Sequence, residues 1–130
     1  MQNGKENETG TAVLEAAIEV HRELGNGLLE SVYEKALAIE LESRGFGVQL
    51  QVPVDVEYKG KSLELGFRAD MVVESSILVE LKSVEMLTAA HRKQIQTYLS
   101  LTGYRLGYLL NFGAALMKNG IVRCVNRLPE

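Results

Sequence analysis

The chain has 130 residues, of which 46% are hydrophobic and 24% charged, so it can bury one domain-sized core and is neither disordered, collagen-like nor supercharged. Fourteen basic and 17 acidic side chains leave a net charge of −3, which argues against coating nucleic acid through bulk positive charge. The charge is divided unevenly: residues 1–65 carry 6 basic and 12 acidic side chains, and residues 66–130 carry 8 and 5. A negatively charged partner is therefore compatible with the second half. A single cysteine, Cys124, excludes an internal disulfide and fits a reducing compartment. The opening residues Met1 to Glu6 are polar with no apolar stretch behind them, and the longest uncharged run, Leu106 to Met117, falls short of the ~20 apolar residues that span a bilayer. The expected setting is cytoplasmic, with no membrane partner.

Residues 1–8 are polar and Gly/Asn-rich and are expected to form a flexible N-terminus, ahead of a single domain over 9–130. Thr9 or Thr11 is placed to cap a helix whose apolar face is Val13, Ala17, Val20 and Leu24, closed by Gly25. After Asn26-Gly27 a second helix is predicted from Leu29 to Arg44, with Val32, Ala36, Leu37 and Leu41 inward and Gly45 as its stop. The pattern then changes to period two. Val48 to Tyr58, a turn at Lys59-Gly60-Lys61, and Leu63, Leu65 and Phe67 read as a hairpin. Met71 to Val73, a turn over Glu74 to Ser76, and Ile77 to Lys82 read as a second hairpin, apolar enough to be covered on both faces. A helix capped by Thr88 and ended by Gly103 leads into a strand over Tyr104 to Asn111, which is a candidate parallel neighbour of Ile77 to Lys82. Leu116-Met117 and Ile121-Val122 flank Asn119-Gly120 as a last hairpin. The predicted order is α-α-β-β-β-β-α-β-β-β, an α/β (α+β) fold with a central mixed sheet flanked by helices.

Chemistry concentrates between Asp70 and Lys82. Glu80 and Lys82 are two apart on a strand, share a face, and interrupt a run of Ile, Leu and Val. Buried charges are costly unless they are paired or bind a metal. A three-residue turn at Glu74 to Ser76 sets Asp70 opposite Glu80; a two-residue turn at Ser75-Ser76 sets it opposite Leu81 instead. Two carboxylates beside a lysine suit Mg²⁺ or Mn²⁺, with Lys82 orienting or deprotonating a water or stabilising charge on a phosphate. A buried Glu80–Lys82 pair that merely ties two strands is the competing reading. Arg68, two before Asp70, shares its face if the strand is regular, and can hold a phosphate or pair with Glu30. His91, Arg92 and Lys93 form a small basic cluster near a helix start, read first as a solvated face. Gly25-Asn26-Gly27 joins two helices and so is no phosphate loop; His21, His91 and Cys124 lack zinc spacing; His21 reads as a packing or hydrogen-bonding residue and Cys124 as core.

Asp70-x9-Glu80-Leu81-Lys82 resembles the D-x(n)-E-x-K core of the PD-(D/E)XK nuclease superfamily, and Gly27-Leu28-Leu29-Glu30-Ser31-Val32-Tyr33 matches the signature of its GxxExxY family of small prokaryotic proteins. The likeness runs from about Val20 to Val125; the family's Gly-Pro-Gly link reads Gly25-Asn26-Gly27, and Ala69 stands where the superfamily name has proline. The resemblance implies a restriction-endonuclease-like core and a metal-dependent phosphodiesterase scaffold. Asp70, Glu80 and Glu30 would be the metal-site acids and Lys82 the water-activating or charge-stabilising group. Glu30 alternatively serves the helix dipole, and Tyr33 alternatively packs its ring inward. Gln94 and Tyr98, one helical turn apart, resemble the Q-x-x-x-Y motif of the recombination-exonuclease branch, whose residues contact DNA near the scissile phosphate. The expected partner is nucleic acid, DNA ahead of RNA, with a homodimer as one source of the surface so small a domain lacks. A non-catalytic nucleic-acid or protein interaction module that keeps the fold is the alternative function.

Overall fold

A computed structural model describes residues 2–128 as three helices and a five-stranded sheet. The elements in chain order are α1 (Gln2–Leu24), α2 (Glu30–Ser43), β1 (Val48–Tyr58), β2 (Lys61–Val73), β3 (Ile77–Lys82), α3 (Ala89–Thr102), β4 (Leu106–Asn111) and β5 (Ile121–Val125), with a short 3₁₀ turn, Met117–Gly120, before the last strand. The sheet order is β1-β2-β3-β4-β5. β3 and β4 run parallel through the α3 crossover, as the sequence predicts, and the other neighbours are antiparallel. This is the mixed-sheet α+β architecture of a restriction-endonuclease-like fold.

Two cores lie on opposite faces of the sheet. α1 and α2 cover Met71, Val73, Ile77, Val79, Leu81, Tyr108 and Leu110. On the other face Ile95 and Leu99 of α3 cover Ala69, Val72, Leu78, Leu109 and Cys124. β3 and β4 are therefore apolar at nearly every position because each face meets a helix layer.

Several elements differ from the sequence reading. Of the stretch 1–8, Met1 lies outside the described residues and the helix already begins at Gln2, so Thr9 and Thr11 are interior to it rather than caps. The extra turns are held from far along the chain: Arg105 donates to Glu6 at 2.5 Å, and Arg123 donates to Asn7 at 2.9 Å. Leu24, expected on the inner face of α1, is 40% exposed. In α2 the buried line is Tyr33, Leu37 and Leu41, at i,i+4 spacing, and this turns Val32 outward to 40% exposure. Leu63 to Phe67 and Met71 to Val73 are one strand, β2. The last expected hairpin is instead the 3₁₀ turn followed by β5, which pairs with β4. Met117 and Gly120 are buried there, and a Cβ on Gly120 would lie 2.3 Å from the Asn111 carbonyl.

The α1–α2 link is built around Tyr33. Gly25 takes φ +76° just past the helix end, a left-handed conformation suited to glycine. The Tyr33 ring is fully buried and stacks on Phe112, with centroids 4.6 Å apart. Its hydroxyl donates to the Gly25 carbonyl at 2.5 Å and accepts from the Leu28 amide at 3.1 Å. The inward packing expected for Tyr33 is present, and its hydroxyl also shapes the loop that delivers Glu30. Tyr33→Phe keeps the stack but strands two backbone groups, so denaturant unfolding should show a loss of about 1–2 kcal/mol.

Candidate functional site

β2 and β3 pair as far as Met71↔Val79, with Val73↔Ile77 closing the three-residue turn. This is the register that aligns Asp70 with Glu80. The backbone ladder stops one pair short of them, however, and side chains take over. The Asp70 amide donates to Glu80 Oε2 at 2.8 Å, and the Leu81 amide donates to Asp70 Oδ2 at 2.9 Å. Each carboxylate thus holds the opposite strand with one oxygen and keeps the other, Oδ1 or Oε1, uncommitted.

The strands are irregular at this point. In a regular strand residues four apart share a face, yet Val48 packs on the α1–α2 core and Val52 on the α3 core. Likewise Ala69 and Val72, three apart, both lie on the α3 core, with Met71 on the other. The residues between the pairs Leu50↔Met71 and Val52↔Ala69 are Gln51 and Asp70. Gln51 has φ +51°, uncommon for a non-glycine residue. The β1–β2 ribbon therefore changes face where Asp70 leaves the ladder.

α2 lies over this change of face. Glu30, Ser31, Glu34, Gln51, Asp70 and Leu81 line one hollow. Glu30, the first residue of α2, is exposed at its rim, and Ser83 Oγ donates to the Leu28 carbonyl at 2.6 Å, tying the preceding loop to the end of β3. Glu34 was not singled out from sequence, although its i,i+4 relation to Glu30 puts it on the same helical face. Its Oε1 accepts from Gln51 Nε2 at 2.7 Å. Burial, and then the nearby charges of Asp70 and Glu30, raise its pKa against the lowering effect of Gln51 and Lys35.

Glu80 is 5% exposed, and its pKa is pushed up to about 8, first by burial and then by the Asp70 charge, against the lowering effects of the Asp70 amide and then of Lys82. Lys82 is half-buried at the end of β3, opposite Asn111 of β4. Glu80 and Lys82 make no ion pair within 4.0 Å among the described residues. Tyr98 is half-buried on α3, its ring stacked on Phe67 of β2 at 3.7 Å, and burial followed by the Glu80 and Asp70 charges raises its pKa. Gln94 is exposed one turn earlier on α3. Arg68 is exposed and lines a separate hollow with Pro53, Val54, Asp55, Gly66 and Phe67, and it makes no ion pair with Glu30.

The far side of the site is braced by Asn111, another residue that sequence reading passed over as a strand end. Its buried side chain accepts from the amides of Val84 and Gly113 and donates to the Val84 carbonyl, each at 3.0 Å. A Cβ on Gly113 would lie 2.2 Å from the Val84 carbonyl, so the segments close only around glycine. His91 is committed to the α3 cap: its Nδ1 accepts from the Thr88 amide, and its own amide donates to Thr88 Oγ1. His21 Nε2 donates to the Ala114 carbonyl at 2.8 Å, which matches its hydrogen-bonding reading.

The profile of the PD-(D/E)XK nuclease superfamily matches residues 7–124, and the chain belongs to that superfamily. Comparison with the curated proteins and with the solved structures returned no significant match. No helix among the described residues is long and apolar enough to cross a membrane.

Nucleases of this superfamily generally use divalent metals, so the donor set here needs testing against one. Among the described residues no three acidic, histidine or cysteine side chains stand as one group that could hold a metal ion. The fold brings together the pair Asp70–Glu80. That pair fits a hard cation of the Mg²⁺ type, which keeps several waters and is commonly held by one or two carboxylates plus substrate phosphates.

The raised pKa of Glu80 has a stability consequence. The folded state holds a proton on Glu80 that the unfolded chain releases near 4.5. The associated stability is full below that value and is lost as pH rises through about 8. Chemical denaturation in chelator-containing buffer should therefore show stability falling between about pH 5 and pH 8.5, by on the order of a few kcal/mol, and Glu80→Gln should flatten the dependence.

Proposed function

We propose that the chain is a cytoplasmic, divalent-cation-dependent nuclease of the GxxExxY family that hydrolyses phosphodiester bonds, in DNA ahead of RNA. The observation that carries this reading is the reciprocal hold of Asp70 and Glu80 on each other's strands, which leaves one oxygen of each free where β2 and β3 part. Asp70 and Glu80 would hold Mg²⁺ or Mn²⁺, with Glu30 as an auxiliary acid at the rim of the same hollow. The bound cation would offset phosphate charge and lower the pKa of a water.

The protein's own groups do the rest. Lys82, two residues beyond Glu80 on the same strand, keeps its ammonium beside the reacting phosphate and takes up charge developing there. Tyr98, fixed by its stack on Phe67 and within electrostatic reach of Glu80 and Asp70, would contact substrate, with Gln94 one turn earlier on α3. Arg68 contacts phosphate farther out along the β1–β2 ribbon, because it lines a hollow apart from that of Asp70.

Cleavage of single- and double-stranded DNA and RNA should appear with Mg²⁺ or Mn²⁺ and vanish with chelator. Lys82→Ala and Asp70→Ala should each lower the rate on the order of 100-fold or more. Activity that survives both substitutions belongs to a contaminant. A chain that binds nucleic acid equally well with and without cation, and cleaves none, is the non-catalytic module in which Asp70 and Glu80 only staple two strands.

A further inference from the structure

We infer that Gln51 and Glu34 form a positioning pair for the Asp70–Glu80 site, in which the Gln51 amide orients Glu34 so that its free oxygen faces a cation's waters. The inference rests on the cation-dependent reading of that site. It starts from the backbone. Gln51 occupies a left-handed conformation, φ +51°, where glycine or asparagine is the usual choice. A side chain kept at such a position has a reason to be there, and functional sites are where strained backbone accumulates.

The side chain supplies the reason. Gln51 Nε2 donates to Glu34 Oε1 at 2.7 Å, bridging β1 to α2 across the hollow that Asp70 also lines. Among the described residues Glu34 makes no other side-chain hydrogen bond, so Oε2 is available to a ligand in the hollow. Glu34 feels the Asp70 charge, and Glu80 in turn feels that of Glu34, which places this acid within electrostatic reach of both carboxylates of the pair. Glu30, its neighbour one turn earlier, is exposed and makes no side-chain hydrogen bond among the described residues. Glu34 does not join a three-ligand group with Asp70 and Glu80. Its reach is therefore to water on the cation, as outer carboxylates orient the ligands of a metal site without touching the metal.

Calorimetric titration of Mn²⁺ alone into the full chain tests this. Glu34→Gln should weaken Mn²⁺ binding about 10–100-fold, the usual effect of losing an outer-shell partner. Gln51→Asn accepts the left-handed backbone but is too short to reach Glu34, and should weaken binding about tenfold while the metal-free thermal midpoint stays at the wild-type value. Asp70→Asn sets the level of a lost ligand. If Glu34→Gln and Gln51→Asn bind Mn²⁺ like wild type while Asp70→Asn does not, the positioning pair is wrong and the site reading stands. Weakening in Glu34→Gln alone also overturns the pair, as does weakened binding that tracks a fall in the metal-free midpoint, since either outcome removes Gln51's orienting role. If wild type takes up no Mn²⁺, the site reading fails and the inference with it.

Discussion

The structure turns on the point where β2 parts from β3. A sheet that loses its backbone ladder inside the protein leaves amides without partners, and buried amides must be satisfied. Here the two amides at the parting, those of Asp70 and Leu81, are satisfied by the carboxylates of Glu80 and Asp70. Because side chains reach farther than a backbone carbonyl, the strands can diverge without leaving an unpaired donor. The β1–β2 ribbon is then free to change face at Gln51 and Asp70 and to meet α3 through Phe67 and Tyr98. The same two bonds that allow the divergence hold the carboxylates in place.

Everything around the parting braces it from a different element. Tyr33 shapes the α1–α2 loop, and Ser83 ties that loop to the end of β3, so the start of α2 lies against Asp70. Asn111 and Gly113 hold the chain that leaves β3 against the end of β4. The Ser83 and Asn111 braces join segments 55 and 27 residues apart in sequence, so the site exists only once the whole domain has closed. A motif spread over α2, β2 and β3 needs this, because none of its three segments can place its side chain alone.

Much of this was legible from residue patterns, and the gaps have physical causes. The β2–β3 register is open in the sequence between a three-residue and a two-residue turn, because the β3 run is apolar on both faces and either register buries it; the structure takes the three-residue turn, with Val73 opposite Ile77. The acid–acid–lysine pattern stood out because charge inside such a run is costly. The phase of α2 was harder: Val32 and Tyr33 are adjacent and both apolar enough to face inward, and only the presence of Phe112, 79 positions later, selects Tyr33. The first turns of α1 depend on Arg105 and Arg123, which no local pattern relates to Glu6 and Asn7. Nothing in Val-rich β1 marks Gln51 as left-handed, since its neighbours on both sides alternate as a regular strand would. Glu34 was hidden by that, because its importance comes from a hollow that exists only where the ribbon changes face.

The distribution of charge acquires a sharper meaning from this geometry. The acid-rich first half contributes Glu30 and Glu34 through α2 and the net-positive second half contributes Asp70; these three line one hollow at the seam between the halves, and Glu80 is tied to it through the Asp70 amide. Glu80 satisfies the Asp70 amide, yet burial and the Asp70 charge push its pKa up to about 8, so its ionised form is held at a cost that a purely structural staple does not need. On the proposed reading, a phosphodiester brought to the seam would meet carboxylates there, and like charges at close range in a partly buried site repel strongly. Positive charge has to be interposed, and Lys82 supplies one unit against several acids. The arrangement that looks least suited to a polyanion is therefore intelligible, on the proposed reading, for a site that meets its phosphate through a divalent cation.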